Sequence, residues 1–183
     1  MPITRRWWAD LLLYQKENKL TVAAKVEGFL GDKLLSKEEK TDYFQFSVLG
    51  GEAKSLIRFL KDDSEMGFTY FIDQCGVDYL KYPTAMPERF AVVTTLLSPK
   101  LGVRVQVRAF VSAAEPRIAT LSDLFEGANW TEREAWDLYG IEFMGHPDLK
   151  RILLPDDYEG YQLTHPENTV GSVRQTGVEL SGR

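Results

Sequence analysis

Residues 103–111 read Val103-Arg104-Val105-Gln106-Val107-Arg108-Ala109-Phe110-Val111. Val103, Val105, Val107, Ala109 and Val111 alternate with Arg104, Gln106 and Arg108, the period of a strand with one face on a core and one toward polar surroundings. Upstream, residues 89–98 predict a neighbouring strand, and Phe68, Tyr70 and Ile72 begin another. Residues 42–49 alternate again, with Phe44, Phe46 and Val48 set against Gln45 and Ser47, until Gly50-Gly51 breaks the run. Ala53, Leu56, Ile57 and Leu60 then recur at helical spacing and predict a helix over 52–61. Val22, Ala24 and Val26 against Lys25 and Glu27 predict a strand over 21–29, preceded by an amphipathic helix over 5–19. Two short helices are expected at about 120–126 and 130–139. The order α-β-β-α-β-β-β with short turns predicts an α+β fold: two layers, a mostly antiparallel sheet with helices on one face.

Composition narrows what such a fold can do. The chain has 183 residues, a net charge of −5 and a single cysteine, Cys75. One domain of ordinary composition is expected over 1–155. Over 156–183 only Tyr158, Tyr161, Leu163, Val170, Val173, Val178 and Leu180 are apolar and no period is visible, so this tail is expected to be irregular, extended or partly disordered. One thiol excludes a disulfide framework, an iron–sulfur cluster and a cysteine-built zinc site, and leaves Cys75 as an expected core thiol at a strand end. Acidic balance argues against nucleic acid as the main partner. Asp10 interrupts the apolar run after Arg5-Arg6 and no cleavage site follows, so a targeting signal is not expected; nor is a membrane span. The chain reads as intracellular and soluble by itself.

The most informative stretch lies at 129–160. Asn129 is placed to cap a helix with Glu132 at its third position, and Thr131 with Glu134 offers the same box. Arg133 can reach Asp137 one turn on, and Gly140 fits a left-handed cap followed by Ile141. Gly145-His146-Pro147-Asp148 and Pro155-Asp156-Asp157 are turn chemistry around Ile152-Leu153-Leu154.

This segment resembles the signature of the thirty-kilodalton subunit family of respiratory complex I, NADH–quinone oxidoreductase. Glu132-Arg133-Glu134, Asp137, Leu138-Tyr139, His146, Lys150 and Ile152-Leu153 fill every slot of the family pattern. After Glu159-Gly160 the chain departs from it: the family's basic pair and acid are replaced by Tyr161-Gln162-Leu163-Thr164-His165-Pro166. The resemblance implies a structural and assembly subunit with no cofactor of its own and no catalytic, cofactor-binding or metal residues. NADH, flavin, iron–sulfur clusters and quinone are then expected on partner subunits, and the whole complex couples electron transfer to proton translocation. Implied partners are the other peripheral-arm subunits, especially the one that helps form the quinone cavity. The implied location is the cytoplasmic side of the inner (plasma) membrane, touching the membrane only through the complex. Glu132, Arg133, Glu134, Asp137, Tyr139, His146, Asp148, Lys150 and Arg151 are the interface candidates, with Trp130, Trp136, Tyr139 and Phe143 as apolar anchors. Two alternatives remain open: the equivalent subunit of a membrane-bound hydrogenase or ferredoxin-linked quinone reductase, and a stand-alone enzyme using Glu134, Asp137 and His146.

Overall fold

In a computed structural model the backbone is described for residues 6–164 and side chains from Lys16 onward. The strand read at 103–111 lies at the centre of everything else. Helix α1 (Arg6–Leu30) leads into strands β1 (Ser36–Glu39) and β2 (Tyr43–Leu49), helix α2 (Gly50–Asp62) and strands β3 (Tyr70–Asp78), β4 (Phe90–Ser98) and β5 (Val103–Val111). Strand β6 (Arg117–Ala119), helix α3 (Ala128–Tyr139) and strand β7 (Glu142–Met144) follow.

The main sheet runs β1-β2-β5-β4-β3, and every pairing is antiparallel except β2 with β5. That one parallel pair follows from the connections. Helix α2 carries the chain back so that β3 restarts in the direction of β2. The β3-β4-β5 meander then returns to the vacant edge of β2. Register puts Phe44, Phe46 and Val48 beside Val105, Val107 and Ala109, and those beside Leu96, Thr94 and Val92. Helices α1 and α2 cover this face with Val22, Val26, Leu56, Ile57 and Leu60, all fully buried. Helix α3 covers its other end, over β3: Tyr139 packs so closely on Gly76 that an added Cβ would lie 2.6 Å from the ring. The helices therefore share one side of the sheet, as the two-layer reading predicts. The opposite side is laced by polar side chains, Gln45 donating to Gln106 at 3.1 Å and Gln106 to Thr95 at 3.2 Å.

Several expectations need correction. Residues 21–29 are the second half of α1, not a strand. Val22, Ala23, Val26 and Leu30 are the buried set and Ala24 is exposed, so the spacing that meets the sheet is helical and the apparent alternation is coincidental. The first strand of the expected order is instead β1, whose Ser-Lys-Glu-Glu run carries no apolar signal and which forms by backbone pairing with β2. No helix spans 120–126; two turns do, with Phe125 N–H bonded to Leu121 O and Ala128 N–H to Phe125 O. Cys75 is exposed in mid-strand rather than buried at a strand end. Trp8, Leu11 and Leu12 lie outside the described side chains, and residues 165–183 lie outside the described chain.

Candidate functional site

Helix α3 and the irregular segment after it hold every residue of the signature. The helix starts at Ala128 behind Gly127, which supplies no side-chain cap, so Asn129 is not the cap and Glu132 does not close a capping box. Instead the Glu132 carboxyl turns inward at 0% exposure. It accepts the Leu121 N–H at 2.6 Å and hydrogen-bonds the Thr120 hydroxyl, which also meets Ser122 Oγ at 2.8 Å. Burial raises this carboxyl, and the two bonds do not offset it; its pKa is pushed up to about 7.

Asp137 is equally buried at 0% exposure but surrounded by donors. Its Oδ2 accepts the N–H groups of Ile152, Leu153 and Leu154 at 3.0, 2.8 and 3.0 Å, and its Oδ1 accepts Arg151 Nη1 at 2.7 Å. Burial alone would raise this carboxyl, but those backbone donors together with Arg151 outweigh it and hold it down at about 2. The expected helical pair of Arg133 with Asp137 is not made; Arg151 takes that place. Arg133 reaches the carbonyls of Lys150 (3.1 Å) and Arg151 (3.4 Å) and lies 4.9 Å over the ring of Trp130.

Arg151 ties three stretches together. Besides Asp137 it donates to the carbonyls of Tyr158 and Gly160, each at 3.1 Å, and stands over the rings of Trp136, Tyr158 and Tyr161. His146 Nδ1 accepts the Asp148 N–H at 3.1 Å, so Nε2 carries the proton donated to Asn129 O, also at 3.1 Å. Leu163 N–H bonds Leu138 O at 3.0 Å, and Tyr161 covers Gly140, whose φ of 74° is the left-handed cap expected there. Residues 146–164 thus run alongside α3 from its first turn to its last.

The remaining candidates divide between the surface and the sheet. Glu134 is exposed, Lys150 pairs with Asp148 at 2.8 Å on the surface, and Trp130 is 63% exposed beside its arginine. Tyr139 faces β3 instead, on Gly76. Glu134, Asp137 and His146 do not converge: the first faces outward, the second is committed to 151–154 and the third to Asn129 and Asp148. Among the described residues no group of three or more His, Cys, Asp or Glu side chains has a metal-binding arrangement, and no helix is long and apolar enough to cross a membrane. Thr120, Leu121 and the carbonyls of Tyr158 and Gly160 carry no signal in the sequence, since each takes part through a bond between segments distant along the chain.

The family described as the respiratory-chain NADH dehydrogenase, 30 Kd subunit, matches residues 47–169. A subunit of the NADH-quinone oxidoreductase of Sinorhizobium medicae is 48% identical over 109 residues, covering 60% of this chain and 52% of that protein. One from Rhizobium rhizogenes, also of NADH-quinone oxidoreductase, is 38% identical over 143 residues, covering 78% and 69%. Among solved structures, the trypsin-resistant fragment (1-134) of Nqo5 superposes with a TM-score of 0.64 at 36% identity, over 72% of this chain and 99% of that one. The chain spans about half the length of the Sinorhizobium relative. Fold, signature and relatives agree: the chain belongs to the 30 Kd subunit family of respiratory-chain NADH dehydrogenase.

Proposed function

We propose that this chain is a cofactor-free structural subunit of the peripheral arm of an NADH–quinone oxidoreductase. Partner subunits hold NADH, flavin, iron–sulfur clusters and quinone, and the complex carries electrons from NADH to quinone while translocating protons. The chain is peripheral to the membrane, on the cytoplasmic side, and its nearest neighbour is the subunit that helps form the quinone cavity. The relatives' names favour this machine over a membrane-bound hydrogenase or ferredoxin-linked reductase.

One observation carries the structural role. Asp137, the charged carboxylate buried within the signature, is saturated by three backbone N–H groups and one guanidinium, all from residues 151–154. A group so satisfied has no remaining capacity to act as an acid, base or ligand. It fixes the path of the chain along α3 and presents Trp130, Glu134, Lys150 and the 59% exposed Leu153 in one rigid arrangement. A preorganised aromatic–arginine pair with polar groups around it suits a contact between subunits, where register matters more than raw affinity. The stand-alone enzyme reading has no comparable support, because the polar atoms of His146 are committed to Asn129 and Asp148.

The test is affinity purification of the full chain from solubilised membranes. Flavin- and cluster-bearing partners are expected to come with it, and recovery of a lone protein with turnover of its own overturns the proposal. Asp137→Asn should reduce the assembled complex on native gels; full assembly with abolished turnover would instead place chemistry in this chain.

A further inference from the structure

The two edges of the main sheet are finished differently. At one edge, β1 is four residues long and its charges are answered within the chain: Lys37 by Glu27, Glu38 by Lys40 and Arg108, Glu39 by Lys19. The other edge is β3, Tyr70-Phe71-Ile72-Asp73-Gln74-Cys75-Gly76-Val77-Asp78, nine residues paired, among the described residues, only with β4. A terminal strand of this length leaves a row of unpaired N–H and C=O groups, the template used when an extended segment adds to a sheet. Its side chains suit a contact as well. Tyr70 is 59% exposed and Ile72 42% exposed.

Charge distinguishes this edge further. Strand β3 contains two aspartates and no lysine or arginine. Asp78 is neutralised by Arg89 at 2.7 Å, whereas among the described residues the Asp73 carboxylate accepts only the Gln74 N–H, at 2.8 Å. Helix α3 adds the exposed Glu134, which has no ion-pair partner among the described residues. Asp73 and Glu134 both act on Cys75: desolvation raises the thiol first, and these two negative charges raise it further. A second copy of the same edge would bring the Asp73 and Glu134 carboxylates toward like charges, which a cationic segment does not.

Resting on the function proposed above, we propose that β3 is a docking edge for an extended segment of a neighbouring subunit that carries lysine or arginine. The segment adds beside β3 as a further strand, stacks apolar side chains on Tyr70 and Ile72, and sets its cations against Asp73 and Glu134.

Cys75 makes the test direct, because it is the only cysteine and it is exposed on this strand. In the free full chain, a cationic methanethiosulfonate should modify Cys75 faster than an anionic one, with the difference narrowing as salt screens the carboxylates. In the complex purified with its flavin- and cluster-bearing partners, labelling of Cys75 by a neutral maleimide should slow at least ~10-fold, and amide exchange across 70–78 should slow with it. Partners present with Cys75 as reactive as in the free chain overturns the docking edge alone; partners absent overturns the assembly role and the docking edge together. Asp73→Lys with Glu134→Lys, two exposed positions, should lower partner recovery about 10-fold or more while the free chain keeps its unfolding midpoint. Unchanged recovery refutes the cationic partner. Concentration-dependent protection of Cys75 in the isolated chain assigns the edge to a second copy and overturns the proposal.

Discussion

Glu132 and Asp137 lie little more than one helical turn apart, both shut off from solvent, yet their surroundings shift the two carboxyls in opposite directions. Glu132 meets one backbone N–H and one hydroxyl and is lifted to about 7; Asp137 meets three N–H groups and an arginine and is held at about 2. Burial acts in the same direction on both carboxyls. The number of fixed donors decides which of them outruns it. The consequence is a division of labour along α3. The Glu132 end docks the 120–122 turn through bonds an uncharged group can make, whereas the Asp137 end clamps 151–154 through bonds that require a carboxylate.

The amide isosteres break this comparison most severely. Asparagine at 137 would turn an NH2 toward converging donors and leave Arg151 unpaired, so Asp137→Asn should destabilise the full chain by about 3–5 kcal/mol in urea unfolding. Glutamine at 132 can still accept from Leu121 and donate to Thr120, and Glu132→Gln should change stability at pH 5 by no more than about 1 kcal/mol. Equal losses in the two variants would refute the donor-count argument.

The pH dependence gives the next effect. Glu132 rises in the fold above its ordinary 4.5, so its contribution is complete below about 4.5 and disappears as pH climbs through 7. Asp137 falls below its ordinary 3.8, so its contribution is complete above that value and is lost as pH drops through 2. Between about pH 4.5 and 8 the wild-type chain should lose on the order of a few kcal/mol, at about 1.4 kcal/mol per pKa unit, and Glu132→Gln should remove that slope. A wild-type stability profile that matches the variant's across this window would show that Glu132 is ordinary.

Gly76→Ala asks whether the two ends are coupled through the seat of the helix. A methyl there meets the Tyr139 ring at 2.6 Å and should cost about 1–3 kcal/mol. Amide exchange should quicken at Leu121 and at 152–154 together; quickening at only one end would separate them. Smallest is His146→Ala, which frees Asn129 O and Asp148 N–H at the first turn and should cost about 1 kcal/mol with the Glu132 slope intact.

The period-two pattern in 42–49 and 103–111 and the helical pattern in 52–61 were legible because those faces meet one continuous core. The strand expected at 21–29 failed because a few apolar residues fit either period, and only contact with the sheet selects between them. At the signature, local rules placed the cap at Gly140 correctly and paired Arg133 with Asp137 wrongly. The helical rule considers only neighbours on the same helix, and the competing partner, Arg151, arrives from the following segment with three backbone donors behind it.

The sequence by itself determined the two-layer α+β class, the signature and, through its single cysteine, the exclusion of a disulfide framework. Only the tertiary structure decided which carboxyl is raised and which is lowered, and which sheet edge carries charges unanswered among the described residues. Both depend on groups far apart in the chain that folding brings within hydrogen-bond reach, and neither composition nor periodicity carries that distance.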